Sequence, residues 1–459
     1  MKLRKYQEKA VQIIPDWFIA NIGKAKGYLL LDEVGLGKSP QGLKALDRTL
    51  SLHKKKTGEV FKYAMIICPA YLKLKWKKEV LKALPKEERC YDYTILIKSF
   101  NDVTKAGMRS YYKKFNFGFV IIDEVHYLIN FDAQRTEALL GTPEVNTTPL
   151  SKKVKYLLGL SATFPPDRVG DLFPWLWATN KAVRNTYTYE KFLRKYAMWV
   201  NTKPTPNRSY KLSHGGVKDV ETLLSLFKGG LLRRRKKDVA KDLPKLIKEV
   251  ITVEGAASLV AEEHEILKEV FGYVPKNPEE YVDLFLQVSP KFDKMIKYKS
   301  KIGLLKAPTV LPYLEDLIKQ GEKKFIVVCE HKTTVDIFVE RLEKLVRTVK
   351  ITGSLSQEKR FRAIEEIDAA LEGVIVGTRA SFSEGLDMVG FNRMVVAEFD
   401  WSPKTLTQLA GRIDRLTQLA KHLFLTLFVI ETGIEAKVFN TQAGKKDTIN
   451  KLFGETDED

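Results

Sequence analysis

The sequence predicts an α/β protein in which two units of similar size share one chain, and three observations carry that expectation. Short apolar runs rich in β-branched residues recur, helix-length amphipathic segments separate them, and the series occurs twice around a middle part of different character. Strands of a parallel sheet covered by helices on both faces read as continuous apolar runs rather than alternating ones. The first series is GYLLLD (27–32), YAMIICP (63–69), YTILIKS (93–99), GFVIIDE (118–124) and YLLGLSA (156–162). The second is KFIVVCE (324–330), TVKITGS (348–354), GVIVGTR (373–379), MVVAEFD (394–400) and LFLTLFVI (423–430). Between them, residues 165–320 carry aromatic and basic clusters and helical segments such as ASLVAEEHEILKEVF (257–271), which predicts a helical insertion. Within it, MWVNTKPTPNRSYKL (198–212) reads as two short strands around a Pro/Asn turn. The expected boundaries are 1–164, 165–245 and 246–459.

A chain of 459 residues is long enough for two or three folded units. Lys and Arg number 77 against 57 Asp and Glu, a formal charge of +20, which favours a polyanionic partner such as nucleic acid. With 44% apolar and 29% charged residues the composition excludes a disordered chain. Cys68, Cys90 and Cys329 are odd in number and lack metal-ligand spacing, which points to a reducing compartment and to no disulfide framework. No apolar run approaches the roughly 18 residues of a membrane span, and MKLRKYQEKA lacks the apolar core of a signal peptide. A cytoplasmic protein without a membrane partner is expected. The terminal GETDED reads as a solvated acidic tail.

Three constellations carry chemistry. In LLLDEVGLGKS (29–39) a strand runs into a glycine turn and then Lys-Ser opens a helical run. Turning a chain around phosphates needs residues without side-chain bulk, inward backbone N–H groups, a lysine for the β/γ charge and a hydroxyl for Mg²⁺. Gly35, Gly37, Lys38 and Ser39 supply these, although Asp32 stands where the general phosphate loop has its first glycine. In FVIIDEVHYL (119–128) a strand delivers Asp123 and Glu124 at its carboxyl end, where open α/β sheets bind ligands. One acid can hold Mg²⁺ while the next orients and deprotonates the attacking water. In QLAGRIDRLTQ (408–418), Gln408, Arg412 and Arg415 fall at i, i+4 and i+7 and on a helix share one face, which suits stabilisation of transition-state charge.

These residues carry a resemblance. The chain resembles the superfamily 2 helicases, specifically the Swi2/Snf2 group of double-stranded DNA translocases, over nearly its full length. LRKYQ (3–7) resembles the Q-type motif, DEVGLGKS the Snf2 form of motif I, which itself carries Asp at the position of Asp32, and CPAYLKLKWKKEV (68–80) motif Ia. DEVH is similar to motif II, GLSATF (159–164) to motif III, GTRASFSEGLDM (377–388) to motif V and QLAGRIDRLTQ to motif VI. LLRRRKKDVAKDLP (231–244) resembles the element that joins the two lobes in Snf2 proteins. KAPTVLPYLEDLIKQGEKKFIVVCEHK (306–332) and VVAEFDWSPKTLTQLAGR (395–412) resemble the annealing-helicase, fork-remodelling branch, and the compactness resembles phage-encoded branch-migration helicases. Asp387 stands where motif V commonly has Asn, and SAT where the triplet GTP is frequent.

The resemblance implies two RecA-like, doubly wound parallel-sheet lobes with a helical or hairpin insertion, clamping ATP and Mg²⁺. It implies that Gln7 reads adenine, that Lys38 neutralises phosphates, that Ser39 and Asp123 position Mg²⁺, and that Glu124 activates water. Arg412 and Arg415 would complete the site, with Gly385 and Asp387 as further nucleotide contacts. Ser161, Thr163, Thr378, Arg379 and Gln408 would couple the nucleotide to DNA; separately, the basic turn from Lys203 to Arg208 reads as a strand-separating or junction-reading element. The implied activity is that of a monomeric ATP-dependent DNA motor acting on double-stranded, branched DNA, as in fork regression and Holliday-junction branch migration. An RNA helicase and a non-hydrolysing nucleic-acid scaffold are the rival readings.

Several features have more than one reading. His126 either links the γ-phosphate site to motif III or is a polar residue at a helix start. Arg233 to Lys237 serve the lobe-joining element in a mechanical or phosphate-binding role, form a nuclear import signal, or are merely a solvated face. Phe173, Trp175, Trp177, Tyr187, Tyr189, Phe192, Tyr196 and Trp199 interleave with Arg184, Arg194, Lys195, Lys203, Arg208 and Lys211, which suits stacking on bases beside phosphate contacts. The alternative is that most of these rings are core. Cys68 and Cys329, at equivalent strand ends, read as buried packing residues.

Overall fold

Each of the ten apolar runs is a strand in the structure, a computed structural model. It describes residues 2–105, 115–130, 133–142, 148–162, 164, 169–200, 213–239, 244–288, 293–382, 388–398, 403–415 and 418–438. Up to residue 239 the strands are β1 (Gly27–Leu30), β2 (Tyr63–Cys68), β3 (Thr94–Ser99), β4 (Phe117–Asp123), β5 (Val154–Leu160), β6 (Ala197–Val200), β7 (Ser213–Val217) and β8 (Leu231–Leu232). From residue 244 they are β9 (Lys245–Val253), β10 (Ile326–Cys329), β11 (Thr348–Ile351), β12 (Val374–Thr378), β13 (Arg393–Val396) and β14 (His422–Ile430). The chain divides between β8 and β9 into two compact units.

The first unit is built on a parallel sheet of order β3-β2-β4-β5-β1-β8. Successive side chains of a strand leave opposite faces, and here both faces are buried. Leu29, Met65, Val120, Ile122 and Leu157 pack into one layer, and Tyr28, Leu30, Ile66, Ile121 and Leu158 into the other. Helices Lys5–Ala20, Lys38–Thr57 and Lys73–Ala83 cover the second layer through Ile14, Phe18, Leu43, Leu46 and Trp76.

The first layer is covered by the middle part of the sequence. Phe173, Trp175, Trp177, Phe192 and Tyr196 are buried there against the sheet, so the base-stacking reading does not hold for these five rings. Full burial of such a side chain is worth about 1.5–3 kcal/mol, which fastens the helices that carry them to the sheet. Gly159 of β5 makes room: a Cβ there would come within 2.7 Å of Leu29 and 3.0 Å of the Trp175 ring. Tyr189 stays exposed and Tyr187 half-buried. β6 and β7 pair antiparallel, with a register shift between Ala197 and Met198. The second strand therefore begins at Ser213, past the 198–212 span read from the sequence, and the intervening residues, Lys203 and Arg208 among them, lie outside the described residues.

The second unit is a parallel sheet of order β11-β12-β10-β13-β14-β9. β9 was not legible as a strand because KLIKEVITV mixes charge with apolar residues. It lies at the sheet edge, where charged side chains are tolerated and discourage stray pairing. It nonetheless pairs with β14 over its whole length, from Lys245↔His422 to Val253↔Ile430. Cys68 and Cys329 are buried at the ends of β2 and β10, as the sequence indicated, and burial pushes both thiols far up.

Beyond β14, Glu435 is buried beside Lys306 of the helix Asp293–Lys319. Lys306 Nζ donates to Glu435 Oε1 at 2.7 Å and to the Phe428 carbonyl at 2.9 Å, while Glu435 Oε2 accepts the Ile430 N–H at 3.0 Å. Removing one member of such a pair strands the other charge in the core. Lys306→Met is therefore expected to cost about 3–5 kcal/mol in equilibrium urea unfolding, and Lys306→Met with Glu435→Gln to recover most of the loss.

Candidate nucleotide site

β1 ends at Leu30, and the turn that follows contains two glycines in the left-handed region, Gly35 at φ +89° and Gly37 at φ +70°. A Cβ would strain both positions. The turn delivers the chain into the helix that starts at Lys38, whose first N–H groups have no intrahelical acceptor and are suited to an anion. Lys38 Nζ folds over the turn, donating to the carbonyls of Asp32 at 2.6 Å and Glu33 at 3.2 Å. Ser39 follows, half-buried in the first helical turn. Tyr6 Oη and Gln7 Nε2 both donate to the Leu36 carbonyl, at 3.0 and 3.1 Å, and Gln7 Oε1 accepts the Arg4 N–H at 2.9 Å. The Gln7 amide is thus engaged in holding the turn.

Asp32 is fully buried, and its carboxylate is gripped by Arg234 from the lobe-joining element. Arg234 Nε donates to Oδ1 at 2.9 Å and Nη2 to Oδ2, the fork-on-carboxylate geometry that only arginine offers. Gln41 Nε2 adds a third donor at 3.1 Å and also reaches the Leu36 carbonyl at 2.9 Å. The backbone follows the same path: Leu31 N donates to Leu232 O at 2.7 Å and Glu33 N to Arg234 O at 3.0 Å. Lys236 N donates to Glu33 Oε2 at 2.6 Å. Sequence reasoning missed Arg234 as an individual, although a buried acid in place of a glycine was itself a signal that a countercharge must exist.

β4 carries Asp123 and Glu124 to the same carboxyl edge. Trp76 Nε1 donates to Asp123 Oδ2 at 2.7 Å, and the Glu124 N–H to Asp123 Oδ1 at 3.0 Å. Burial, with the charge of Glu124 added, pushes the Asp123 carboxyl up to about 7, against the Trp76 N–H and the charges of Lys75 and Lys38, which pull it down. Glu124 sits at φ +55°, a left-handed conformation that costs a non-glycine residue roughly 1–2 kcal/mol and that is concentrated at functional sites. Its carboxylate lies 3.1 Å from His126 Nδ1, which is also 3.1 Å from Ser161 Oγ just beyond β5. His126 thus touches both Glu124 and Ser161, the serine of the SAT triplet. Trp76 was missed; a lone tryptophan in a lysine-rich helix was the available signal.

In the second unit Thr378 closes β12, buried, with its hydroxyl 2.9 Å from that of Ser381. Arg379 pairs with Glu330 at the end of β10. Glu398, just past β13, accepts from Thr334 Oγ1 at 2.6 Å and from the backbone N–H groups of Glu330 and His331, at 2.6 and 2.8 Å. Burial raises this carboxyl, but the donors from His331 and Thr334 outweigh it and hold the group below its ordinary value. Gln408 and Arg412 lie in the helix Pro403–Ile413, and the Arg412 carbonyl accepts the Met388 N–H at 2.9 Å. The expected common helical face does not extend to Arg415. The helix ends at Ile413, whose carbonyl accepts from Gln418 Nε2 at 3.0 Å, so Arg415 lies beyond it. Thr163, Gly385 and Asp387 lie outside the described residues.

Two parallel six-stranded α/β units in one chain, the first opened by a glycine-hinged lysine turn, define a two-lobed RecA-like protein. The profile of the SNF2-related domain matches residues 82–268, and that of the helicase conserved C-terminal domain matches 309–417. The chain thus carries an SNF2-related domain followed by a helicase conserved C-terminal domain. It is 25% identical over 85% of its length to the bovine SWI/SNF-related matrix-associated actin-dependent regulator of chromatin subfamily A-like protein 1. It is 22% identical over 85% of its length to the human DNA annealing helicase and endonuclease ZRANB3, and 24% identical over 97% to the chicken DNA repair and recombination protein RAD54-like. It spans 39%, 35% and 66% of those relatives. A solved Sulfolobus solfataricus SWI2/SNF2 ATPase core in complex with dsDNA is 18% identical over 99% of this chain and 94% of that one, with a TM-score of 0.42.

As pH falls through 7 Asp123 takes up a proton, which competes with any divalent cation at its oxygens. Cation affinity is therefore expected to fall on acidification. Trp76→Phe, which keeps the ring and removes the donor, is expected to move that fall to higher pH. Titration with Mn²⁺, with free Mn²⁺ counted by electron paramagnetic resonance between pH 6 and 8.5, checks both.

Proposed function

We propose that this chain is an ATP-driven motor that moves on double-stranded DNA and remodels branched structures such as forks and four-way junctions. The alignment on neighbouring strands β1, β5 and β4 of a lysine turn, a serine–histidine link and a pair of acids carries the reading. Lys38 holds the β and γ phosphates, and the N–H groups opening its helix receive the remaining charge. Ser39 and Asp123 are the side chains that hold Mg²⁺, and a carboxyl raised by burial fits a place meant for a cation. Bound Mg²⁺ neutralises charge on the phosphates. Glu124 orients and deprotonates the attacking water. Its contact with His126, and that of His126 with Ser161, gives the acid pair a connection to the element expected to sense DNA. Arg412 and Arg415 stabilise charge in the transition state.

DNA as the track is supported by the net charge of +20 and by relatives whose names describe DNA annealing, repair and recombination. Branched DNA as the substrate, and action as a monomer, rest on the resemblance to the annealing-helicase branch.

Lys38→Ala is expected to bind DNA while losing ATP turnover by roughly 10²–10³-fold. Glu124→Gln is expected to lose roughly 10²–10⁴-fold. Phosphate release measured with duplex DNA, single strands and RNA, alongside gel assays of forked and four-way substrates, decides the matter. Retained turnover in Lys38→Ala refutes the nucleotide site, and equal stimulation by RNA refutes the DNA assignment.

A further inference from the structure

The Arg234 guanidinium meets four parts of the first unit at once. It grips the buried Asp32 carboxylate with two nitrogens, donates to Gln41 Oε1 at 2.6 Å, donates to the Tyr6 carbonyl, and lies 5.0 Å from the centre of the Tyr6 ring. Each contact touches something that shapes the lysine turn. Asp32 begins the turn, Gln41 Nε2 holds the carbonyls of Leu36 and Gly37, at 2.9 and 3.1 Å, and the Tyr6 hydroxyl also donates to the Leu36 carbonyl. The backbone around Arg234 is meanwhile paired to β1 and to Glu33. A carboxylate with no exposed surface is destabilising unless it is paired, so Asp32 imposes a condition that a glycine in its place would not.

We infer that Arg234 is a positioning residue that makes the shape of the phosphate turn depend on the seating of the lobe-joining segment 231–236, so that nucleotide and this segment are energetically coupled. The inference rests on the reading of the turn as a nucleotide site and deepens it. When the segment is seated, Asp32 is neutralised and Leu36 and Gly37 are fixed for phosphate. When it is displaced, a buried charge is left with Gln41 as its remaining side-chain donor, and the turn must rearrange. Coupling of this kind is reciprocal: if the segment favours nucleotide, bound nucleotide must hold the segment.

Reciprocity gives a readout that mere structural support would not move. In the wild-type full chain, saturating Mg²⁺ and ADP are expected to slow amide hydrogen exchange across 231–236, including the Lys236 N–H held by Glu33, by roughly tenfold. The variant Asp32→Asn with Arg234→Gln removes both charges while keeping side chains that hydrogen-bond, so no unpaired charge threatens folding. Its affinity for a fluorescent ADP analogue is expected to fall roughly tenfold, and the nucleotide-dependent protection of 231–236 to disappear at saturation. Wild-type protein that binds ADP without slowing exchange in the segment overturns the inference while sparing the nucleotide site. So does a double variant with unchanged affinity and protection. Wild-type protein that fails to bind ADP overturns both.

Discussion

A carboxylate with no access to water is destabilising without a partner, and Asp32 places one at the mouth of the glycine turn. The chain answers with an arginine 202 residues away in sequence, bidentate on the acid. Much of the first unit follows from that pairing. The short β8 is held on the sheet edge beside β1, Gln41 is oriented onto the turn, and Tyr6 is fixed beneath the guanidinium. The segment leading toward the second unit is thereby built into the first unit rather than merely leaving it.

The second constraint is the parallel sheet. Because all strands of a parallel sheet end at one edge, residues far apart in sequence arrive side by side there. Lys38, Ser161 and the Asp123–Glu124 pair follow β1, β5 and β4 in this way. The same edge holds two left-handed glycines, Gly35 and Gly37, the left-handed Glu124, and an Asp123 carboxyl that burial raises to about 7. In the second unit the same edge collects Glu330, Thr378, Arg379 and Glu398. There the polar groups are largely satisfied by one another: Glu398 caps the helix Lys332–Leu342 and Arg379 rests on Glu330.

The core strands were legible because burial on both faces writes a continuous apolar run, which needs no knowledge of neighbours. β9 was not, since six of its nine positions are exposed and three of its residues are charged, which dilutes the pattern. The aromatic stretch around 173–196 was ambiguous for the opposite reason. A ring that packs on a sheet and a ring that stacks on a base have the same composition, and only burial against the sheet, with Gly159 making room for Trp175, shows which of the two occurs. For the second arginine of QLAGRIDRLTQ, spacing assumed a helix that in fact ends at Ile413.

The sequence alone determined the α/β class, the ten core strands, the lysine turn, the acid pair and the family likeness, because each is written in residues close together along the chain. Only the tertiary structure decided which charge neutralises Asp32, that Trp76 restrains Asp123, that His126 reaches Ser161, and which layer the middle segment covers. These are contacts between residues separated by 35 to 202 positions. Their partners are chosen by burial and by the packing of elements, which local spacing does not encode.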